Sequence, residues 1–259
     1  PSKIKVFQEC KLKYKLKYID RVPDDYNPNS SKDALQFGSY IHKILEDGVG
    51  ATTEKELWDI ASSIREQYVF GEQKEKLTGK CITNFLAFNS QLSDTVSTEQ
   101  FFSVKFKDFT LNGIIDRVVK GKEGGYLVID YKTSKRAMSQ RDLYTDPQMI
   151  MYAAAVNKQY DVPFDKITVS HYYPHLDKFV TVKYTAATVN SYLNGKLKPQ
   201  IWDIRKRKLG QFPPVPNRFC DWCGYRDICP AAGGSPMALT EAINKAGPAR
   251  RAVKKKSNP

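Results

Sequence analysis

Two acids interrupt two apolar stretches near the middle of the sequence, and a lysine follows the second stretch. Asp116 lies within Leu111–Val119, Asp130 lies within Tyr126–Tyr131, and Lys132 follows directly after the second stretch. A glycine-rich segment separates the two stretches, which predicts two antiparallel strands joined as a hairpin. Residues i and i+2 of a strand share a face, so we expect Asp130 and Lys132 to lie side by side.

This arrangement could hold a divalent cation. Two carboxylates in an apolar setting repel each other, and oxygen ligands of this kind suit Mg²⁺ or Mn²⁺. A bound ion could activate water and stabilise charge on a phosphate, with Lys132 beside the water or the scissile bond. The alternative is that each acid faces solvent at the end of a strand. One aspartate alone favours that alternative, whereas the combined pattern favours the metal site.

Three further polar residues could join this chemistry. Asp146 and Pro147 predict the start of a helix on which Gln148 and Tyr152 lie one turn apart. Free N–H groups near a helix start favour a phosphate, although core packing also explains Tyr152. His42 is either a neutral metal ligand, which would favour Mn²⁺ over Mg²⁺, or a core histidine bonded to the backbone.

Four of the five cysteines have the spacing of a ligand set. Cys220, Cys223 and Cys229 form a C-x2-C-x5-C pattern, and Cys10 supplies a fourth thiolate. No signal peptide opens the sequence, so we expect metal ligation rather than disulfides. Four thiolates suit either zinc or a cubane iron–sulfur cluster. Cys81 fits the apolar stripe of a predicted helix and is interpreted as a small buried side chain.

Charge points to an anionic partner. The 259 residues carry a formal net charge of +13, and residues 242–259 contain six cations and no acid. The rest of the chain is basic as well, which favours a polyanion, although a solubilising charge is the simpler alternative. No apolar run approaches the ~20 residues needed to cross a membrane. We therefore expect a soluble, cytoplasmic protein without a membrane partner.

The order of predicted elements indicates a mixed α and β protein. Residues 1–20 alternate between lysine and apolar side chains, which by itself is typical of a strand. Beyond residue 231, glycine, proline, alanine and lysine dominate and predict disorder. The helices are expected at about 32–47, 53–69, 72–92, 146–159 and 185–208, and the strands at 99–107, 111–119, 126–131, 167–173 and 179–184.

Taken together, the motifs resemble one nuclease family. Gly-Ile-Ile-Asp116-Arg followed by Ile-Asp130-Tyr-Lys-Thr resembles the signature of the PD-(D/E)XK nuclease superfamily. These two segments, together with His42, the Gln148-x3-Tyr152 pair and the four cysteines, are similar to its RecB-like iron–sulfur branch. That branch includes the CRISPR-associated RecB-like exonucleases and the nuclease domain of AddB. The resemblance extends from Cys10 to Cys229.

The resemblance implies an α/β restriction-endonuclease-like core, a mixed sheet flanked by helices, with an N-terminal helical annex and a C-terminal cysteine-rich cluster loop. It implies a helix just after the first cysteine, against the strand-like alternation. The expected segments are the annex with the first cluster cysteine at 1–95, the nuclease core at 96–210, the cluster loop at 211–230 and a basic disordered tail at 231–259.

The resemblance also implies roles for the site residues. Related nucleases often carry an acid where Glu99 opens the first predicted strand, so Glu99 either assists the metal or is a solvated strand end. Mn²⁺ or Mg²⁺ would be held by His42, Asp116 and Asp130. Catalysis would use Asp116, Asp130, Lys132, Gln148 and Tyr152. A structural 4Fe–4S cluster would be held by Cys10, Cys220, Cys223 and Cys229.

The function implied is a metal-dependent DNA exonuclease that acts on single-stranded DNA or DNA ends. Protein partners would belong to a repair, recombination or CRISPR adaptation complex. Two alternatives are open at this point. One is a DNA-binding component of such a complex that does not cut, against which the complete set of acids, lysine and glutamine argues. The other is a zinc-bound nucleic-acid module, which an iron–sulfur absorbance would exclude.

Overall fold

A computed structural model describes residues 2–24, 32–92, 94–121, 124–208 and 210–246. The chain divides into two compact units. The first comprises residues 32–198, and the second combines described residues from both ends of the sequence, 2–24 with 199–246. This grouping differs from the predicted one, because the first cysteine belongs with the cluster loop and the annex helices from residue 32 onward belong with the strands.

Ten helices and five strands occur among the described residues. The helices are α1 (Ser2–Glu9), α2 (Lys11–Tyr14), α3 (Lys32–Asp47), α4 (Glu54–Ile64), α5 (Glu72–Asn89), α6 (Gln140–Thr145), α7 (Pro147–Tyr160), α8 (Ala186–Tyr192), α9 (Lys198–Lys206) and α10 (Pro236–Ala246). The strands are β1 (Thr95–Lys105), β2 (Thr110–Lys120), β3 (Tyr126–Tyr131), β4 (Ile167–Tyr173) and β5 (Lys178–Lys183). None of these helices is long and apolar enough to cross a membrane.

The strands of the first unit form one mixed sheet in the order β1-β2-β3-β4-β5. β1, β2 and β3 form an antiparallel meander, β3 and β4 are parallel, and β5 returns antiparallel to β4. A parallel pair needs a crossover connection, which α6 and α7 supply. The mixed sheet flanked by helices confirms the predicted α/β, restriction-endonuclease-like fold class.

Helix α7 begins where the sequence predicts and is buried along most of its length. The Asp146 side chain accepts a 2.6 Å hydrogen bond from the Gln148 N–H, and Pro147 occupies the first helical position. Every residue from 149 to 156 is buried, which is typical of a helix enclosed within a core. The buried helix therefore fixes the position of Gln148 at its first turn.

Helices α3, α4 and α5 share a core with the sheet. Ile41, Leu57 and Phe85 are completely buried and pack in one cluster with Ile129 of β3. Thr53 and Glu56 form the predicted capping box at the start of α4. The prediction that Cys81 is a buried apolar side chain is confirmed, and burial raises its pKa to about 12.

The second unit has a small core of its own. Leu16, Tyr225 and Ile228 are buried there, and the Tyr225 hydroxyl donates a 2.8 Å hydrogen bond to the Val22 carbonyl. Gly224 packs against the backbone of Asp24, so a Cβ atom at position 224 would come within 2.2 Å of the Asp24 carbonyl oxygen. A glycine is therefore required beside the second cysteine of the loop.

The structure decides one ambiguous segment as the family resemblance implies, and it differs from three other local predictions. Residues 2–20 are helical apart from Cys10, as the family resemblance implies and the alternation does not. Residues 236–246, predicted to be disordered, form α10, whose Ala242 is buried in the core of the second unit. The rest of the predicted tail, 247–259, lies outside the described residues. Helix α6 was not predicted, and the single helix expected at 185–208 is α8 and α9 with a π-helical turn between them.

A buried arginine ties three elements together, and its replacement tests that tie. Arg117 of β2 is 2% exposed and donates hydrogen bonds to the side chains of Thr95 at 2.7 and 3.0 Å and Asn89 at 2.7 Å. Arg117→Ala should lower the free energy of unfolding by about 3 kcal/mol, because polar partners lose their donor. Arg117→Met, which keeps the volume, should cost less. Urea unfolding of wild type and both variants measures these free energies of unfolding. Equal values for all three proteins would contradict the prediction.

Candidate active site

The register of the sheet brings the predicted acids into one row. Arg117 pairs with Ile129, so Asp116 and Asp130 are neighbours one step beyond the last paired residues of β2 and β3. Asp130 in turn pairs with His171 of the parallel strand β4. Paired residues point to the same face of a sheet, which places these side chains together.

Glu99 extends this row onto β1. The pairs Thr98–Arg117 and Gln100–Ile115 bracket it, so Glu99 stands opposite Asp116. Its backbone has a φ of +44°, a left-handed conformation that is uncommon for a residue other than glycine. Backbone strain of this kind is concentrated at functional sites.

Asp130 is buried and contacted from three sides. Its Oδ1 accepts a 3.0 Å hydrogen bond from Gln148 Nε2. Its Oδ2 forms an ion pair with Lys132 Nζ and lies 3.5 Å from His171 Nε2. The predicted pairing of Asp130 with Lys132 on one face is therefore present in the structure. These contacts fix the orientation of the carboxylate.

Asp116 faces His42, which α3 carries to the same place. Asp116 Oδ2 lies 3.3 Å from His42 Nδ1 and accepts a 2.8 Å hydrogen bond from the Tyr131 N–H. Burial and the negative charge of Asp130 raise the pKa of Asp116 well above its ordinary value, despite the Tyr131 hydrogen bond. Burial lowers the pKa of His42, which keeps the imidazole neutral and able to bind a metal.

His42, Glu99 and Asp116 have ligand-like spacing. Their ligand atoms all lie within 4.8 Å of one another. The predicted ligands are His42, Asp116 and Asp130. In the structure Glu99 is the third member of the group. Asp130 lies outside the group and contacts Gln148, Lys132 and His171 instead. The three residues line an open cleft of about 530 Å³. Burial, followed by the charge of Glu46, raises the pKa of Glu99.

Lys132 remains a cation in this setting. Burial alone would lower the pKa of its ammonium group, but the charges of Asp130 and Asp116 outweigh that effect. The net result is a raised pKa, so Lys132 is protonated at neutral pH. A positive charge therefore stands beside Asp130 at one end of the row of three carboxyl groups.

Gln148 and Tyr152 form a short chain of hydrogen bonds into this row. The Tyr152 hydroxyl donates to the Ile114 carbonyl at 2.7 Å and accepts from Gln148 Nε2 at 2.7 Å. Tyr152 is only 3% exposed, and burial raises its pKa. Tyr152 thus holds Gln148, which holds Asp130, so it acts through other groups.

His171 was missed from the sequence. It is buried beside Asp130, and its Nδ1 lies 3.2 Å from the Tyr173 hydroxyl, which accepts a 3.0 Å hydrogen bond from the Met138 N–H. The available signal was a histidine in an otherwise largely apolar predicted strand. Only the parallel pairing of β3 with β4 connects it to Asp130, and that pairing is not apparent from local sequence.

The donor set fits a divalent cation. Carboxylate oxygens and a neutral imidazole are ligands that Mn²⁺ accepts, and Mg²⁺ accepts the carboxylates. Asp116, whose pKa is raised by burial and by Asp130, would gain most from a positive ion nearby. The open side of the cleft leaves room for water and substrate on such an ion.

The predicted cluster cysteines meet in the second unit. Cys10, Cys220, Cys223 and Cys229 line one cavity of about 40 Å³, together with largely apolar neighbours. Backbone N–H groups point at two of the sulfurs, from Val215 to Cys10 Sγ at 3.4 Å and from Asn217 to Cys220 Sγ at 3.2 Å. Hydrogen bonds of this kind favour thiolates. The donor set fits a thiolate-bound metal group.

The raised pKa of Asp116 predicts how stability depends on pH. In metal-free protein, the contribution of Asp116 to folding stability is fully present below its unfolded pKa of about 3.9, where the carboxyl group is neutral. That contribution is lost as the pH rises through the raised pKa of the folded state. Asp116→Asn cannot ionise, so between pH 4 and pH 8 it should gain at least about 1 kcal/mol of stability relative to wild type. Urea titrations at both values measure the difference.

Asp59→Asn is the matched control, because Asp59 is an exposed residue of α4 paired with Lys55, which is also exposed. It should follow the wild-type pH dependence. If Asp116→Asn follows the wild-type curve as well, burial and repulsion do not disfavour the ionised Asp116 carboxylate.

Comparison with known proteins gives consistent results. The sequence model of the PD-(D/E)XK nuclease superfamily matches residues 1–230. An ATP-dependent helicase/deoxyribonuclease subunit from Streptococcus equi subsp. zooepidemicus is 26% identical over 178 residues, covering 61% of this chain and 16% of that protein. The corresponding protein of Streptococcus agalactiae is 24% identical over 182 residues, covering 62% and 16%. The chain thus spans about a sixth of the length of these relatives.

One solved structure has a similar fold. A crystal structure described as a candidate exonuclease from Eubacterium rectale matches with a TM-score of 0.53 and 13% identity, covering 86% of this chain and 85% of that one. At this identity the likeness concerns the fold alone. The match of the family model over most of the sequence decides the family: the chain belongs to the PD-(D/E)XK nuclease superfamily.

Proposed function

We propose that the chain is a metal-dependent DNA exonuclease that hydrolyses phosphodiester bonds in single-stranded DNA or at DNA ends. The observation that carries the proposal is the row of Glu99, Asp116 and Asp130, with Lys132 beside it. Glu99 and Asp116 of this row line an open cleft in a chain of a nuclease superfamily. Three acids gathered at one place, one of them buried and two lining the cleft, have no evident structural use, whereas a metal site requires such a group.

The metal ligands proposed are His42, Asp116 and Asp130, with Glu99 as a further ligand that the spacing supports. A bound Mn²⁺ or Mg²⁺ would supply Lewis acidity and a more acidic bound water. His42 and Asp116 are already close, with His42 Nδ1 3.3 Å from Asp116 Oδ2, and the sheet register makes Asp130 the neighbour of Asp116. Preorganised ligands of this kind reduce the cost of binding.

The remaining residues would position and balance charge. Lys132 offers an ammonium group for the developing charge on the phosphate, since its pKa keeps it protonated. Gln148 orients the Asp130 carboxylate by its 3.0 Å hydrogen bond, and Tyr152 orients Gln148. Loss of Tyr152 would therefore act through the position of Asp130 rather than through the substrate.

The cysteine cavity supports a structural 4Fe–4S cluster. The four cysteines line one cavity of about 40 Å³, as ligands of one bound group would, and the family resemblance favours a cluster over zinc. Cys10 is separated by more than two hundred residues from the other three cysteines. Joining such distant segments restricts the unfolded chain, so binding of the cluster would stabilise the fold.

The distribution of charge supports DNA as the partner. Residues 32–198 contain 22 basic and 20 acidic residues, whereas the other 92 residues contain 19 basic and 8 acidic residues. The basic excess therefore lies outside residues 32–198, the first unit, which is the catalytic unit in this proposal. A polyanion would bind to the basic sequence with release of counterions. The relatives belong to a helicase/deoxyribonuclease, so a protein partner in a repair or recombination complex is part of the proposal. Such a role is consistent with the cytoplasmic location that the sequence predicts.

The chemistry is tested by Asp130→Asn. End-labelled single and double strands should be degraded by wild type with Mn²⁺ or Mg²⁺, and not in chelator. The variant should lose about 100-fold or more in rate, because a ligand charge is removed. Added Mn²⁺ should raise the melting temperature of wild type more than that of the variant.

Asp161→Asn is the matched control for this experiment, since Asp161 ends α7 in a left-handed conformation that asparagine tolerates. Its activity should equal that of wild type. Robust cutting in chelator would refute the metal mechanism. A wild type that binds DNA without degrading it would support the non-cutting alternative.

The cluster is tested by Cys223→Ala. Wild type purified without oxygen should be brown, and the variant should lose its visible absorbance and melt at a lower temperature, because ligand binding energy is also folding energy. Cys81→Ala is the control and should keep its colour, since Cys81 lies in the core of the other unit. A colourless wild type containing one zinc per chain would overturn the iron–sulfur assignment.

A further inference from the structure

One face of the hairpin formed by β1 and β2 is left open. Phe101 pairs with Ile114, Ser103 with Asn112 and Lys105 with Thr110. All six side chains are exposed, whereas the alternate residues Phe102, Val104, Leu111 and Ile115 are buried. The exposed face is therefore a regular row of residue pairs, which we call the hairpin track.

The hairpin track begins at the candidate active site. Glu99 and Asp116 form the pair of opposed residues that precedes Phe101 and Ile114 on the same face. Successive pairs on one face are about 6.8 Å apart along a strand. Ile114 also lines the cleft that holds His42 and Asp116. A ligand bound along the hairpin track would thus meet the proposed metal site at one end.

The first pair of the hairpin track is apolar and unusually open. Phe101 is 65% exposed and Ile114 is 48% exposed, although both lie within strands of a well-formed sheet. Large apolar side chains next to a cleft are typical of a binding surface. An aromatic ring beside the site of phosphodiester cleavage has an obvious partner, since every nucleobase presents a flat face on which it can stack.

The rest of the hairpin track has the chemistry that a nucleic-acid strand requires. Ser103 and Asn112 can donate and accept hydrogen bonds, and Lys105 supplies a cation at the far end, near the exposed Lys107 of the turn. Cations of this kind bind phosphates. A duplex keeps its base faces inside the stack, whereas an unpaired strand presents them to a protein. The series from apolar to polar to basic therefore fits an unpaired strand.

We propose that the hairpin track binds the unpaired strand of the substrate next to the scissile phosphate, with Phe101 stacked on a base. Phe101 would then be a residue that determines specificity for single-stranded substrates. The proposal rests on the proposed nuclease function for the identity of the substrate as DNA. The location of the DNA strand on the hairpin track and the contact of Phe101 with a base are new to this proposal.

The test measures binding rather than cutting, so that it is independent of the catalytic proposal. In the Asp130→Asn background, Phe101→Ala should weaken the binding of a fluorescent oligothymidylate about tenfold, the size expected for one stacked base. Phe101→Tyr, which keeps the ring, should bind within about twofold of its parent. Val96→Ala is the matched control, because Val96 is an exposed apolar residue of the same strand outside the hairpin track.

An abasic oligonucleotide of equal length separates stacking from every other effect. Phe101→Ala should change its affinity by less than about twofold, since no base is present to stack. Equal losses with the thymidylate and the abasic strand would overturn the proposal, as would unchanged binding of the thymidylate. Failure of the nuclease proposal is a different observation, namely wild-type protein that degrades no DNA with Mn²⁺ or Mg²⁺.

Discussion

Electrostatic repulsion within a row of carboxyl groups is the constraint on which the catalytic unit depends. Sheet register aligns Glu99, Asp116 and Asp130, of which Asp130 is buried and the other two are partly exposed at the cleft. Burial raises the pKa values of Asp116 and Glu99, and the negative charges of neighbouring carboxylates raise them further. A divalent cation beside these groups would favour their ionised forms, which is the effect that the proposed metal site requires.

The surrounding fold supplies the stability that such a row requires. Helix α7 is buried along residues 149–156 and carries Gln148 to Asp130 at its first turn. Helix α3 brings His42 from a distant part of the sequence to Asp116. Strand pairing on either side prevents the acids from separating. Each contact is local in space but distant in sequence, so the site exists only when the whole unit is folded.

The sequence predicts much of this arrangement because several signals are local. The apolar strands around Asp116 and Asp130, the cap of α7 and the spacing of the cysteines depend on near neighbours. His171 and the participation of Glu99 depend on pairing between strands, which local pattern does not determine. The helix at 236–246 was missed because the glycine- and proline-rich sequence around it lowers its apparent tendency to order, whereas burial of Ala242 in the second core stabilises it.

The composition of the second unit has a consequence for synthesis on the ribosome. Residues 32–198 are continuous and can fold as soon as they have emerged, since domains generally fold as units during translation. The helices at 2–20 and Cys10 emerge before that unit, yet their packing partners and the other three cysteines are translated after it. The earlier segment must therefore wait through the synthesis of the catalytic unit. During that interval its apolar side chains and its thiol are exposed to chaperones and to oxidants.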